Sequence, residues 1–169
     1  MSTPIQTVPR STPWGAIQHQ TTIAPGIIQV STASHGGIWL SDDRWQALKA
    51  IFPALQSWAG ENWLEEDCDW KWAALAFPDE FRPKDVWHAW HNIPDSERAH
   101  LPANAQNIAE AFHATAKDKW QVGSCGGGAG GSWFSVYHIT TGERRTFKGN
   151  PPAWDGLISS AELANLAAA

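Results

Sequence analysis

Apolar and polar residues alternate in the N-terminal part of the chain in a way that predicts an antiparallel meander. A weak alternation over 16–23 is followed, over 27–32, by mainly β-branched residues, which suit a half-buried pleated surface. Between these segments, Pro25-Gly26 suits the central positions of a type II turn. Gly36-Gly37 then allows a second reversal, into Ile38-Trp39-Leu40. We therefore expect three neighbouring strands joined by two turns.

Helical spacing replaces this alternation after the meander. Ser41 can cap a helix whose first turn carries Asp42 and Asp43, where the helix dipole favours negative charge. A second helix is predicted from Glu61 to about Phe77, because apolar residues recur there at spacings of three and four. The members of this stripe are Leu64, Cys68, Trp72 and Leu75. The stripe places the Cys68 thiol in a core, where burial makes a thiol inert.

Further periodic segments predict helices over 84–92 and 104–120, and a terminal helix after Ser159 and Glu162, which form a capping box. The alternation over 133–140 predicts a strand that forms a hairpin with 144–147. The glycine-rich segment 123–132 contains a GxGxxG pattern, but a helix precedes it, a strand follows it and no phosphate-binding lysine is present. We interpret it as a flexible loop.

These elements predict an α+β fold, in which an N-terminal meander and a C-terminal hairpin pack with about four to five helices. Residues 1–12 hold two prolines and many hydroxyl side chains, and we expect a flexible arm there. The length of 169 residues favours a single globular domain over 13–169.

Composition excludes several classes of protein. Hydrophobic residues make up 43% and charged residues 17%, and no apolar run approaches a membrane span or a secretory signal, so we expect a soluble, cytoplasmic protein without a membrane partner. The net charge of −5 disfavours direct nucleic-acid binding. The two cysteines match neither a zinc motif nor a disulfide framework. No cofactor is expected.

The chain contains twelve tryptophans and one tyrosine. Each indole buries a large area and needs an acceptor for its N–H, so this many cannot all share one core without polar partners. Either a few large side chains fill the core, or some tryptophans are exposed and anchor a partner. The candidate binding residues are Trp39, Trp63, Trp87, Trp90, Glu65 and Glu66.

Candidate chemistry centres on His35, which lies at a predicted strand end beside two glycines, where a side chain is held by a scaffold and still reaches solvent. An ordinary turn histidine is also expected at such a position, because turns commonly carry polar residues, and this interpretation is favoured. The carboxylates of the acidic run 65–69 can form a solvated face, or can meet His35 in a metal or acid–base site through Asp67 alone or through Glu65 and Asp69. Such a metal site needs a further ligand. The candidates are Glu66 and His19.

A Cys68–His35 pair is a less favourable alternative, because the neighbouring carboxylates oppose the lowered thiol pKa that a nucleophilic cysteine needs. His88 and His91 are spaced to share a metal but have no third ligand in sequence, and we interpret them as surface residues at a helix C-terminus.

Three separated motifs carry a family resemblance: PWG at 13–15, IAPGIIQVSTASHGG at 23–37, and WLEEDCDW at 63–70 with ALAFPDEF at 74–81. Together they resemble an uncharacterised domain family carried by phages, plasmids and other mobile elements of bacteria. The resemblance implies a mobile-element setting and supplies no catalytic residue.

Three functional hypotheses follow. The first is a binding protein that inhibits a host defence complex, CRISPR or restriction, by protein–protein docking. The alternative is a small hydrolase or metal-dependent enzyme centred on His35, with Asp67 or Cys68 as its partner. The third is a structural domain that contacts copies of itself.

Overall fold

The computed structural model describes residues 8–128, 131–151 and 157–168. Contacts within the chain group into two compact units, Met1–Glu110 and Ala111–Ala169. The single domain expected over 13–169 stays a prediction. Of the arm expected at 1–12, residues 1–7 lie outside the described residues, and Ser11–Thr12 form a short strand.

The strands of the first unit form two antiparallel sheets. A small ladder joins β1 (Ser11–Thr12) to β2 (Gly15–Ala16). The larger sheet has the order β3-β4-β5-β6, with the bounds β3 (His19–Ala24), β4 (Ile27–Ser31), β5 (Gly36–Leu40) and β6 (Trp63–Glu65). The predicted meander is confirmed as β3 to β5, and β6 adds a fourth strand from a distant part of the chain.

The β3–β4 turn depends on a glycine. Gly26 has a φ of +76°, a conformation that other residues rarely adopt. A Cβ atom at this position would also lie 2.3 Å from the Ser41 hydroxyl oxygen. The turn and the start of the following helix are therefore packed against each other, which fixes the end of β5 where that helix begins.

The helices of the chain up to residue 116 follow in sequence order, with a 3-10 turn over Pro78–Glu80. They are α1 (Asp42–Ile51), α2 (Trp70–Ala76), α3 (Pro83–His91), α4 (Asp95–Arg98) and α5 (Ala103–Ala116). Their apolar faces and one face of the larger sheet form the main core of the first unit. Its fully buried members include Ile27, Leu40, Leu48, Leu64, Leu75 and Val86.

The helix predicted from Glu61 to Phe77 is wrong in its first half. Trp63–Glu65 form β6 and pair with β5 in the register Trp39↔Trp63, Ile38↔Leu64 and Gly37↔Glu65. Pairing satisfies the backbone of both strands, and this long-range gain outweighs a local helical pattern. Turns follow β6, and α2 begins only at Trp70. Leu64 remains in the core, but Cys68 is exposed, so the prediction of a buried thiol is also wrong.

The second unit is a four-stranded antiparallel sheet of order β10-β7-β8-β9 with one helix. Its elements are β7 (Lys119–Gly128), β8 (Gly131–His138), β9 (Arg144–Lys148), β10 (Leu157–Ser159) and α6 (Ser160–Ala168). Trp120, Phe134, Val136 and Leu163 are buried in its core. The predicted hairpin is confirmed as β8–β9.

The flexible glycine loop predicted at 123–132 is wrong over most of its length, although residues 129–130 lie outside the described residues. β7 extends through Gly126 to Gly128 and pairs with β8. Gly126 lies opposite Trp133, and a Cβ atom on it would come within 2.8 Å of the indole. The aromatic ring covers the strand where glycine has no side chain, which compensates for the weak strand preference of glycine.

The α+β fold class is confirmed, since the described residues form six α-helices and three antiparallel sheets. No helix within 8–128, 131–151 or 157–168 has both the length and the apolar character needed to cross a membrane.

Candidate metal centre

Three potential metal ligands meet where β5 begins and β6 ends. His35, Glu65 and Glu66 each present one ligand atom, and these atoms all lie within 4.8 Å of one another. Strand pairing produces this arrangement, because β5 and β6 run antiparallel and place the residue before β5 beside the last residues of β6. The His35 corner and the acidic segment therefore lie together, as the metal hypothesis requires.

A compact turn between β4 and β5 holds His35 directly before β5. The backbone N–H of Thr32 donates to the His35 carbonyl oxygen at 2.7 Å, and the Thr32 hydroxyl donates to the same oxygen at 2.9 Å. Thr32 Oγ1 also accepts from the backbone N–H of His35 at 3.2 Å. The main chain of His35 is thus held from both sides, while its side chain is 47% exposed and accessible to solvent.

Glu65 is the buried member of the cluster, with 5% of the residue exposed. Its Oε2 atom accepts hydrogen bonds from the backbone N–H of Asp67 at 2.7 Å, from that of Cys68 at 3.0 Å, and from the Cys68 thiol at 3.3 Å. Its Oε1 atom lies 3.8 Å from His35 Nδ1. A buried carboxylate needs such donors. They fix its orientation and leave the other oxygen directed at the histidine.

Glu66 completes the cluster above Gly36. Its backbone N–H donates to the Gly36 carbonyl oxygen at 3.2 Å. A Cβ atom on Gly36 would lie 2.2 Å from Glu66 Oε2 and 2.9 Å from the Val30 carbonyl oxygen. The missing side chain at residue 36 is therefore what allows the Glu66 carboxylate to lie over the strand beside His35.

The other residues predicted to act with His35 have different positions. Asp67 is exposed and contributes its backbone N–H to Glu65, and Asp67, Asp69 and His19 are all outside the three-residue cluster. Asp69 is 8% exposed, and its Oδ2 atom accepts from the Ser57 hydroxyl at 3.2 Å and the Trp58 N–H at 3.0 Å. The expected solvated acidic face is therefore wrong for Glu65 and Asp69, which are buried.

The Cys68 thiol is hydrogen-bonded to Glu65 of the cluster and is a poor nucleophile. Partial desolvation of the thiol, its hydrogen bond to Glu65 and the charges of Asp69 and Glu65 raise the pKa of Cys68 to about 11. The residue as a whole is exposed, so desolvation acts on the sulfur atom, which faces the Glu65 carboxylate. The direction expected from the neighbouring carboxylates is confirmed, and it opposes a Cys68–His35 catalytic pair.

Three of the four tryptophans expected to anchor a partner are buried. Trp39 and Trp87 are 5% exposed and Trp63 is 8% exposed, while Trp90 packs against the main core and is partly buried. Interface anchors must be accessible, so Trp39, Trp63 and Trp87 cannot serve in that role in this structure. Trp58, at 73% exposure, and Trp133, at 42%, are the exposed tryptophans among the described residues.

Residues 7–122 match a family model described as a domain of unknown function, DUF7007. The chain belongs to this family. The DUF7007 match contains PWG, the meander motif and WLEEDCDW, so the resemblance to an uncharacterised domain family is confirmed at this level. No curated protein and no solved structure matches the chain.

All three residues of the metal cluster lie within the DUF7007 match. The sequence predicts a site at His35 with Glu66 as a possible further ligand, but its helical spacing pairs His35 with Asp67 or with Glu65 and Asp69. A helix over 61–77 would have placed Glu65 and Asp69 on one face. In the strand and turn that form instead, Glu65 and Glu66 are the carboxylates that reach the histidine.

Proposed function

We propose that this DUF7007 protein binds a divalent transition-metal ion through His35, Glu65 and Glu66 and uses it to hydrolyse a substrate. The observation that supports the proposal is the convergence of three ligand atoms within 4.8 Å, with a half-exposed histidine on the solvent side. One imidazole nitrogen and two carboxylate oxygens suit ions such as Zn²⁺ and Mn²⁺.

The three ligands found among the described residues favour catalysis over a purely structural role. Structural zinc sites use four protein ligands, whereas catalytic sites use three and leave a position for water. An ion held by His35, Glu65 and Glu66 would supply Lewis-acid chemistry that activates water for attack on a carbonyl or phosphoryl centre. The exposure of His35 gives a substrate access to that position.

The hydrogen bonds around Glu65 support the same proposal. Metal-binding carboxylates are commonly held by outer hydrogen bonds that orient them and tune their basicity. Asp67 and Cys68 supply those bonds at Oε2, and Oε1 is left for the ion.

Metal binding is tested first. The full chain is treated with EDTA, dialysed and titrated with ZnCl₂ and with MnCl₂ by calorimetry, and bound metal is counted by elemental analysis. We expect one equivalent of at least one ion, and a loss of binding in the variants His35→Ala and Glu66→Gln. His100→Ala and Glu61→Gln remove an exposed histidine and an exposed glutamate outside the cluster and should bind as the unmodified protein does. Less than about a tenth of an equivalent overturns the proposal, since such sites bind tightly.

Hydrolysis is tested separately on the metal-loaded protein. p-Nitrophenyl acetate and bis(p-nitrophenyl) phosphate report on acyl and phosphoryl transfer respectively. We expect the protein to turn over one of these compounds. EDTA should abolish this turnover, and the His35→Ala variant should lack it. Stoichiometric metal binding without turnover of either compound would retain the ion site and reject hydrolysis as its use for these two substrate classes.

A docking function is the second candidate, and Trp58 is the observation that favours it. Its side chain is 73% exposed, and its backbone N–H is held by the buried Asp69 carboxylate at 3.0 Å. A tryptophan held on an ordered backbone is the kind of side chain that dominates binding energy at interfaces. On this basis we retain the proposal of a mobile-element-encoded inhibitor that docks onto a bacterial defence complex.

Co-elution with purified CRISPR and restriction complexes tests the docking function. Trp58→Ala should abolish co-elution, and Trp133→Ala, which removes the other exposed tryptophan of the described residues, should not. Absence of co-elution with every complex tested, or equal retention of the Trp58→Ala variant, rejects docking through this residue.

A further inference from the structure

The second unit has one sheet face that its core does not use. This face is open to solvent around Trp133, whereas Gln121, which pairs with Tyr137, is buried. Phe134 and Val136 point into the core of the second unit, to which α6 contributes Leu163, so the alternate residues of β8 lie on the opposite face. These are Trp133, Ser135 and Tyr137. Cross-strand pairing extends the same face onto the neighbouring strands, because directly paired residues share a face.

Trp133 forms a flat aromatic surface on this face. Its strand partner is Gly126, and a Cβ atom there would lie 2.8 to 2.9 Å from three indole atoms. The indole therefore lies directly on the glycine backbone. With 42% of the residue exposed, its outer side remains open to solvent.

Tyr137 provides a second aromatic ring about 13 Å further along β8, at four residues' distance. Gly123, the extra residue of a bulge in β7, lies against this ring, since a Cβ atom on it would be 3.1 Å from Cδ1 of Tyr137. A pocket of about 170 Å³ opens beside the ring and is lined by Gly123, Ser124, Ser135, Val136, Tyr137 and Arg144.

A row of three hydroxyl groups lies between the two rings. Ser124 pairs with Ser135, whose other neighbour is Thr146, so each of three adjacent strands contributes one. The Oγ atoms of Ser124 and Ser135 are 2.7 Å apart. Hydroxyl groups both donate and accept hydrogen bonds, so the row can pair with ligand groups that do the same.

Two cations flank the rings on β9. Lys148 pairs with Trp133 and Arg144 pairs with Tyr137. Both are exposed, and within the described part of the chain neither makes an ion pair or hydrogen bond. Arg145, between them, lies on the other face, where it pairs with Glu143 at 2.9 Å and lies over the Trp120 ring. β7 to β10 place no carboxylate side chain on the open face.

We propose that this face binds single-stranded RNA. A base can stack on the exposed Trp133 ring and a second base can contact the half-buried Tyr137 ring. The cations attract the phosphates, and the 2′-hydroxyl, which donates and accepts, matches the row of hydroxyl groups. The acidity that disfavoured nucleic acid belongs to the first 110 residues, which hold 13 Asp and Glu against 7 Lys and Arg. Residues 111–169 hold 4 Asp and Glu against 5 Lys and Arg. The inference is independent of the metal centre.

Fluorescence anisotropy of labelled 12-nucleotide strands tests the proposal on the full chain. U12 and A12 should bind, and dT12, a 12-base-pair RNA duplex and a labelled oligoglutamate peptide should bind more weakly. Trp133→Ala should weaken RNA binding at least about fivefold through lost stacking, and Trp58→Ala should leave it unchanged. Arg144→Ala should lower the slope of log K against log salt by about 0.7, whereas Arg145→Ala on the opposite face should retain it.

Several results would overturn the proposal. The first is that neither U12 nor A12 binds at about 100 μM protein and 50 mM salt. The second is that Trp133→Ala binds RNA as the unmodified protein does. The third is that dT12 or oligoglutamate binds as tightly as RNA. Thermal unfolding of each variant separates lost binding from lost folding. His35→Ala should bind RNA normally, which keeps this test distinct from that of the metal centre.

Discussion

His35 Nδ1 lies 3.8 Å from Glu65 Oε1, and the histidine side chain is half exposed whereas the glutamate is buried. The two residues are thirty positions apart in sequence and meet only because β6 pairs with β5. The buried partner is held by three donors and the exposed partner by a backbone turn, so neither depends on the other for its position. This arrangement leads to predictions about stability as well as metal binding.

Removing the Glu65 carboxylate should destabilise the protein. Glu65→Ala leaves the partly buried N–H groups of Asp67 and Cys68 without their acceptor, which we expect to lower the free energy of unfolding by about 1 to 3 kcal/mol. Glu65→Gln retains an oxygen acceptor and should cost less. Urea denaturation measures both, and equal stabilities for the Ala variant and the unmodified protein would contradict the assigned bonds.

Gly36→Ala should disturb the candidate metal centre without replacing any of its three ligands. The added methyl group would meet Glu66 Oε2 at 2.2 Å and the Val30 carbonyl oxygen at 2.9 Å, so the carboxylate must move. We expect at least tenfold weaker metal binding and a destabilisation of about 1 to 3 kcal/mol. Gly127→Ala, where the nearest atom is 3.8 Å away, is the matched control. Unchanged metal affinity in Gly36→Ala would contradict the position of Glu66.

Cys68 should resist alkylation despite its exposure. Its pKa is raised from 9.0 to about 11, which at pH 8 reduces the reactive thiolate by roughly a hundredfold relative to an ordinary thiol. Iodoacetamide labelling followed by peptide mass spectrometry measures the rate at each cysteine. Glu65→Gln removes a charge and should accelerate labelling of Cys68. The test fails if Cys68 reacts rapidly at pH 8 in the folded protein.

The same shift predicts a loss of stability at alkaline pH. The folded chain retains the Cys68 proton more tightly than the unfolded chain, so stability from this group is present below pH 9 and is lost as the pH rises towards 11. The free energy of unfolding of Cys68→Ala should decline less steeply between pH 9 and 11 than that of the unmodified protein. Identical slopes for the two proteins between pH 9 and 11 would argue against the raised pKa.

The capping box of α6 should stabilise the second unit. Ser159 Oγ accepts from the Glu162 N–H at 3.2 Å, and Glu162 Oε2 accepts from the Ser159 N–H at 2.8 Å and from its hydroxyl at 2.6 Å. We expect Ser159→Ala to lower the Tm by about 2 to 4 °C at pH 7. Glu162→Gln, which keeps an acceptor, should lower it less.

The difference in Tm between the unmodified protein and Glu162→Gln should depend on pH. The Ser159 hydroxyl, followed by its backbone N–H, lowers the pKa of Glu162 below its ordinary 4.5. The stabilisation is therefore present above pH 4.5 and is lost as the pH falls through the lowered value. Calorimetric scans from pH 7 to pH 3 should show the Tm of the unmodified protein converging with that of Glu162→Gln. A constant gap would contradict the carboxylate's role in the cap.

Local signals in the sequence determined much of the fold. Pro25-Gly26, the alternation before and after it, the helix after Ser41 and the capping box at Ser159 each act over a few residues, and all appear in the structure. In each case short-range geometry and the burial of one face favour the same conformation, so no distant contact has to overrule it.

Tertiary structure decided the parts in which local and distant preferences disagree. Residues 63–65 carry a helical spacing, yet pairing with β5 makes them a strand, and this pairing brings Glu65 and Glu66 to His35. The glycines of β7 have little strand preference of their own, and two of them, Gly123 and Gly126, lie against the aromatic residues of β8. A backbone hydrogen-bond partner many residues away leaves no local periodicity. The cluster of His35, Glu65 and Glu66 therefore follows from the fold and not from the spacing of its residues.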